Sequence, residues 1–243
     1  MRKILTTIFL VCLVAACDKH DPILSGTRVA IFDTGAPQIL NTPIKNLPDG
    51  PTTTKDAPCK YAQRSDNTVW DGERKIFAGL PTNTFVDIVR SPVCSGGYVY
   101  AGLSTGELVK FNPKNRQVVW IADVYRQSNM MGGASVLDVI APAVIYGDYV
   151  YAGGLGGVFC KISDESGAVQ WCINIGVEHP FVVADSVAYV VDTDDNLNAV
   201  RLRDGALYWR TAVKKSAVPE YSNGIVSVSG EKFNAADGSV VKQ

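Results

Sequence analysis

Histidine is almost missing from this chain of 243 residues: His20 and His179 are the only two, and they lie far apart. Neither has the spacing that metal ligands or a catalytic base and its partner require, so both read as surface or loop residues. Serine is plentiful, yet no Gly-x-Ser-x-Gly elbow occurs and no Ser/His/Asp arrangement can be assembled, which leaves nucleophilic hydrolysis without support. Positive charge is not in excess. The 23 Lys and Arg against 24 Asp and Glu give a formal charge of −1, which falls further once Arg2 and Lys3 depart with a leader. There is no basic stripe, so binding to a nucleic-acid backbone is not expected. Past residue 16 no apolar run approaches the ~20 residues of a membrane-spanning helix. No metal and no cofactor is expected.

What the N-terminus does carry is that leader. Arg2 and Lys3 precede the apolar run 4–16, too short to span a bilayer but right for the core of a secretory signal. It ends Leu13-Val14-Ala15-Ala16-Cys17, similar to a bacterial lipobox, in which small residues precede a cysteine that is lipidated on its thiol before cleavage. The alternative is an ordinary signal (1–16) cut after Ala16, with Cys17 incidental. Lipidation makes Cys17 a membrane anchor, each buried methylene contributing about 0.8 kcal/mol, and places the mature chain in the periplasm. Residues 18–58 hold Pro22, Pro37, Pro43, Pro48, Pro51 and Thr52-Thr53-Thr54 without sustained periodicity. Residues 17–58 are therefore expected to be the lipidated cysteine and a flexible linker. Thr27-Arg28-Val29-Ala30-Ile31-Phe32 is the exception, a strand-like run suited to pairing with a sheet edge.

Self-similarity organises the rest. Segments 92–120, 142–171 and 180–209 each open on a proline, run through aromatic and β-branched residues with glycine, and close on Trp120, Trp171 and Trp209. Tyr98-Val99-Tyr100-Ala101-Gly102 lines up with Tyr149-Val150-Tyr151-Ala152-Gly153 and, more loosely, with Val187-Ala188-Tyr189-Val190-Val191. An unfinished copy runs from Asn223-Gly224-Ile225-Val226 to Asp237-Gly238-Ser239-Val240-Val241, with Lys242 where the tryptophan would stand, and residues 60–89, with Trp70, supply a degenerate one. The 38 residues from Trp171 to Trp209 hold four short strands and their turns, and stacked four-stranded units at that period read as propeller blades. The expected fold is all-β, a partial β-propeller of about four to five four-stranded blades across 59–243. The tryptophans belong at the seams between blades, where a large ring dominates burial. Ser166-Gly167 and Asp204-Gly205 suit tight turns with positive φ, whereas Asn115-Arg116 argues for a different turn in the first copy.

Several constellations look chemical. Asp192-Thr193-Asp194-Asp195-Asn196 begins like a calcium loop, but Leu197 stands where an EF-hand needs glycine and Arg203 where it needs a bidentate glutamate, so a polar turn is expected. Gly153-Gly154-Leu155-Gly156-Gly157 lies between two strands, without the helix N-terminus of a phosphate site, and reads as a flexible turn. Of six cysteines, Cys59, Cys94, Cys160 and Cys172 remain once Cys12 leaves and Cys17 is lipidated, an even number that permits disulfides in an oxidising compartment. Cys160 and Cys172 flank a hairpin. A two-residue turn at Asp204-Gly205 would set Leu202 opposite Leu207, and carrying that register back one repeat places the two thiols on opposite faces. Buried free cysteines are then expected unless a bulge corrects the register.

Tyr-Val-Tyr-Ala-Gly, a glycine turn, an apolar strand, Ser/Asp-Gly and tryptophan together resemble the quinoprotein (PQQ-like) β-propeller repeat. In order over 89–243 and behind a lipobox, they resemble the BamB family, lipoprotein subunits of the machine that folds β-barrels into the bacterial outer membrane. The resemblance implies a non-catalytic, lipid-anchored scaffold that binds the central barrel subunit through loops on one propeller face. Family members usually close eight blades. A shorter chain is expected to stay open, or to self-associate through exposed edges. Asp18, directly after Cys17, resembles an inner-membrane retention signal of enteric bacteria, so the periplasmic face of the outer membrane has the inner membrane as its alternative. Two other classes compete: a periplasmic ligand or polysaccharide binder, and a quinone-dependent dehydrogenase, against which stands the lack of an adjacent cysteine pair. In the family, acidic and arginine residues in loops entering the proline strands contact the central subunit. That singles out Asp138, four residues before Pro142, with a solvated loop aspartate as the alternative reading.

Overall fold

Tyrosine, valine and isoleucine in short runs, punctuated by Gly, Asn and Asp, favour brief antiparallel strands over helices. The computed structural model describes residues 36–52, 59–87, 91–125 and 136–242 and shows only strands and turns among them. They form five antiparallel sheets in chain order. Blade 1 has β1 (Ala62–Gln63), β2 (Thr68–Asp71) and β3 (Arg74–Ala78). Blade 2 has β4 (Val93–Ser95), β5 (Tyr98–Gly102), β6 (Glu107–Phe111) and β7 (Val118–Asp123). Blade 3 has β8 (Val144–Tyr146), β9 (Tyr149–Gly153), β10 (Phe159–Ser163) and β11 (Val169–Ile173). Blade 4 has β12 (Val182–Ala184), β13 (Val187–Val191), β14 (Asn196–Arg201) and β15 (Leu207–Ala212). Blade 5 has β16 (Glu220–Ser222), β17 (Ile225–Val228), β18 (Glu231–Asn234) and a remnant fourth strand bridged from Val240 to Phe233. The degenerate and unfinished copies are thus blades 1 and 5 of a partial propeller.

Four apolar clusters fill the seams, one between each consecutive pair of blades. The second strands of blades 2 to 4, β5, β9 and β13, are apolar on both faces because both are covered; β13 is buried at every residue. Blade 5 differs. Tyr221, Val226, Val228 and Phe233 face blade 4, while the alternate residues Glu220, Ser222, Ser227 and Lys232 lie on the opposite face of the pleat. Ile225, partly exposed, is the apolar residue among them on that face.

Trp120, Trp171 and Trp209 each dock on the next blade. A Cβ built on Gly167 would lie 2.6 Å from Trp120 Cγ, one on Gly205 3.0 Å from Trp171 Cε3, and one on Gly238 2.5 Å from Trp209 Cε3. These glycines take φ of 73°, 77° and 74° and donate their N–H four residues back, to Ser163, Arg201 and Asn234. Two indoles add a hydrogen bond across the seam: Trp120 Nε1 donates to the Asp164 carbonyl (2.9 Å) and Trp209 Nε1 to the Ala235 carbonyl (3.0 Å). The expectation of a different turn at Asn115-Arg116 is corrected. Arg116 adopts the same conformation, with φ 62° and its N–H on the Asn112 carbonyl at 2.8 Å. A side chain is tolerated there because Phe77, at the tryptophan position of blade 1, stacks instead on Phe111, with centroids 5.0 Å apart.

The expected register of the outer hairpins is also corrected. Arg201 N–H bonds the Ala206 carbonyl, a longer turn than two residues, so Val200 and not Leu202 faces Leu207; a bulge then shifts the pairing by one. The same bulge in blade 3 sets Cys160 directly opposite Cys172, and the two form a disulfide with Cα atoms 4.1 Å apart. Cys59 and Cys94 form a second, joining the chain before β1 to β4.

The linker expected over 17–58 does not describe 36–52. Ile39 makes a parallel bridge to Leu207, flanked by Leu40 N–H to the Leu207 carbonyl and Leu207 N–H to the Gln38 carbonyl, both 2.8 Å. The segment then crosses blade 5, with Ile44 N–H on the Ala236 carbonyl and Asn223 N–H on the Asp49 carbonyl, and ends with Thr52 N–H on Val183 of β12. Ile44 and Leu47 pack into the seam between blades 4 and 5. These apolar residues among the prolines fix the strap. Cys17 and the strand-like run 27–32 lie outside the described residues.

Trp209→Ala should lower stability by about 3–5 kcal/mol in chemical denaturation. Gly167→Arg should destabilise by more than about 1 kcal/mol, whereas Arg116→Gly, at the equivalent turn with nothing docked on it, should be neutral or stabilising by up to about 1 kcal/mol. Placing aspartate at both Ile44 and Leu47 should release the strap, read as new cleavage within 36–52 under limited proteolysis.

Candidate functional site: the loop face

One face of the arc carries the turns between second and third strands together with every blade-to-blade connection. Its geometry starts from a left-handed residue in each turn: Asn67 (φ 64°) between β1 and β2, which occupy the second and third positions of blade 1, then Gly106 (90°), Gly157 (83°), Asp195 (58°) and, in blade 5, Gly230 (85°). Three of these turns accept a hydrogen bond from the residue that follows the blade's last strand: Gly79 N–H to Asn67 (2.9 Å), Val124 N–H to Gly106 (2.8 Å) and Val213 N–H to Asp195 (2.9 Å). Each connection then straddles two blades. Val139 N–H bonds Leu103 (3.1 Å) while Leu155 N–H bonds the Asp138 carbonyl (2.9 Å); Val177 N–H bonds Gly154 (3.0 Å) while Thr193 N–H bonds the Gly176 carbonyl (3.1 Å).

Main chain this close requires glycine beneath it. A Cβ on Gly102 would fall 2.2 Å from the Val139 carbonyl oxygen, one on Gly153 2.4 Å from Val177 Cγ2, and one on Gly154 2.5 Å from the Asp138 carbonyl oxygen. The glycine run 153–157, expected as a flexible turn, is therefore a seat for the connections, with Gly153, Gly154 and Gly156 buried. Tyr125 lies over two such seats, Gly106 of blade 2 and Gly156 of blade 3. Burial, then the charges of Asp123 and Glu107, push its hydroxyl above the ordinary tyrosine range.

Asp138 is neither an exposed contact residue nor a solvated loop aspartate. It is 0 % exposed, and its Oδ1 accepts the Val86 N–H at 3.1 Å. The segment before blade 2 is held at its other end by Asn67, whose Nδ2 donates to the Leu80 carbonyl (2.8 Å) and whose Oδ1 accepts the Ser104 N–H (2.7 Å). Between these ties it presents Leu80 and Phe85 to solvent, and Val136 is exposed beside Asp138. Asp87 and Asp123 are exposed carboxylates on the same face. Sequence reasoning singled out Asp138 but missed Asn67, whose only signal is a turn residue that tolerates positive φ.

The calcium-like run is a self-satisfied turn. Asp192 Oδ1 accepts the N–H groups of Asn196 (2.8 Å) and Asp194 (3.0 Å), its Oδ2 accepts Asn198 Nδ2 (3.0 Å), and Arg210 stands 3.5 Å away. Among the described residues no three His, Cys, Asp or Glu side chains gather as a metal site, and no helix is long and apolar enough to cross a membrane. His179 is half-buried in the connection before β12; His20 lies outside the described residues. Trp120, Trp171, Trp209, Gly167 and Gly205 all lie away from this face, at the outer hairpins.

Antiparallel blades with bulged outer hairpins and tryptophans docked on the next blade's glycine define a partial β-propeller of PQQ-like repeats. The family model described as outer membrane protein assembly factor BamB matches residues 52–211 and 157–242, and the chain belongs to that family. Outer membrane protein assembly factor BamB of Alkalilimnicola ehrlichii is 30% identical over 121 residues, which is 49% of this chain and 31% of that protein. The Kangiella koreensis relative of the same description is 24% identical over 117 residues, 48% of this chain and 30% of its own length. The matched stretch thus spans under a third of these relatives. The crystal structure of BamB from Moraxella catarrhalis superimposes with a TM-score of 0.53 at 16% identity, covering 88% of this chain and 64% of that one; it shares the fold.

Asp138→Ala should strip the Val86 N–H of its acceptor at a cost of about 1–3 kcal/mol, and hydrogen exchange at Val86 should speed up more than in the seams. Unchanged exchange at Val86 would remove Asp138 from the role of tether.

Proposed function

We propose that this protein is a non-catalytic scaffold of the machinery that assembles β-barrels into the outer membrane, held to the membrane through a lipid on Cys17. The partner is the central barrel-forming subunit. The reading rests on family membership across 52–242, and its contact surface is the loop face. Turn-to-connection hydrogen bonds and glycine seats fasten the described residues of that face, which lowers the ordering entropy that opposes binding. Asp138 contributes by position: it fixes the segment that exposes Leu80 and Phe85.

What the face offers is contact equipment, apolar side chains beside carboxylates, with the partner expected to bring complementary charge. The anchor adds effective concentration without adding contacts. Its side of the envelope is taken as the periplasmic face of the outer membrane, following the family.

Co-purification with the central subunit tests the reading. The purified wild-type domain should retain that subunit, and Leu80→Glu combined with Phe85→Glu should reduce recovery at least fivefold while the thermal midpoint stays unchanged. Equal recovery from both proteins would remove the loop face. Cys17→Ala should leave binding by the purified domain intact but impair assembly in cells, with rescue on overexpression. Normal outer-membrane protein content at native level of the unlipidated protein would refute the role of the anchor.

A further inference from the structure

The outer strands of the blades are equivalent in register but not in cover. Val118, Val169 and Leu207 each open the fourth strand one pair before the bulge. On blade 4 the main chain of Leu207 bonds Gln38 and Leu40 of the strap, and Leu207 is 0 % exposed. On blade 2 nothing among the described residues pairs with the outer side of β7. Val118 is 45% exposed there, and Val119 and Ile121 are 44% and 52% exposed. The other two edges are blunted. Blade 3 shows Gln170, and its Cys172 is locked into a disulfide; blade 4 shows Arg210 and Ala212. The strand β7, Val-Val-Trp-Ile-Ala-Asp, carries no lysine, arginine or proline of the kind that protects a free edge.

We propose that β7 is a strand-addition site for an extended, alternately apolar segment, the chemistry of a transmembrane β-strand in an unfolded barrel polypeptide. The occupant's identity rests on the assembly reading above; the edge itself does not. The strap supplies the precedent within this chain, since an extended segment already bonds the equivalent residue of blade 4. An added strand would pair at Val118 and cover Val119 and Ile121, leaving the loop face free, so one protein could hold its partner and an incoming strand together.

The test uses a fluorescent ten-residue peptide alternating valine and threonine, and the same peptide with a central proline, titrated against the purified domain by anisotropy. Wild type should bind the first at least tenfold more tightly than the second. Val119→Lys with Ile121→Lys should lose at least tenfold, with unchanged near-ultraviolet circular dichroism and unchanged recovery of the central subunit. Val118→Pro, which removes an outward N–H at an edge position where proline is tolerated, should weaken binding alike. No binding by wild type, or equal binding by the lysine variant, would overturn the proposal. A dimer in sedimentation that the lysine variant dissolves and the peptide does not would overturn it in favour of pairing between copies. Failure of the central subunit to co-purify while the peptide binds would refute the scaffold reading and leave the edge standing.

Discussion

A tryptophan ring laid on the Cα of a glycine in the next blade is the contact on which this architecture turns. It couples two requirements that neither residue meets alone. The ring needs a flat surface to bury 150–250 Å² or so of its own area, and the turn needs φ near 75° with no Cβ in the way. Because the partner always belongs to the following copy, the interaction propagates blade to blade. It sets the stagger of the outer hairpins and, through them, the bulge that recurs in blades 1 to 4.

The same logic operates on the loop face with main chain in place of indole. Glycines at the ends of second strands let each connection lie across two blades, and the hydrogen bonds follow from that close approach. A single pattern, small residue beneath a crossing group, therefore fixes the seams on one side and the loops on the other. The loops inherit rigidity from the stack. The side chains of Leu80 and Phe85, which reach solvent, sit on a segment tied at both ends by Asn67 and Asp138, which distinguishes them from apolar residues on a slack loop.

Much of this was legible in the letters, for a physical reason: repeated packing constraints repeat residues. Tryptophan and glycine recur because three of the four seams make the same demand, so blade number and strand content follow from self-similarity. Pairing across copies does not. The sequence sets Gly167 beside Trp171, whereas the fold sets it beside Trp120. Arg116 broke the pattern in letters without breaking it in space, because the constraint there is the docked ring, and blade 1 lacks one. The cysteine register failed on turn length plus a bulge, two offsets that no periodicity records. Asp138 was visible as an acidic loop residue, but its burial depends on Val86, a contact 52 residues away in sequence. The strap was hidden among prolines because its contacts do not repeat: Ile39 bridges one residue of β15, and Ile44 and Leu47 fill one seam.

Stability in a stack of this kind is a sum of blade terms and nearest-neighbour seams. Interior blades own two seams, while blades 1 and 5 own one each and only three strands of a full set. Those two blades carry the extra fastenings. The Cys59–Cys94 disulfide ties the start of blade 1 to β4 across 35 residues of chain, a closure worth about 3–4 kcal/mol in the chain-entropy account. The strap sends Ile44 and Leu47 into the seam of blade 5 and bonds two of its turns, at Asn223 and at Ala236. In both end blades the fastening is made by chain that precedes the first strand. The N-terminal segment thus does mechanical work at blades 1, 2, 4 and 5, and among the described residues the outer edge of β7 in blade 2 keeps an exposed apolar surface that no strand pairs with.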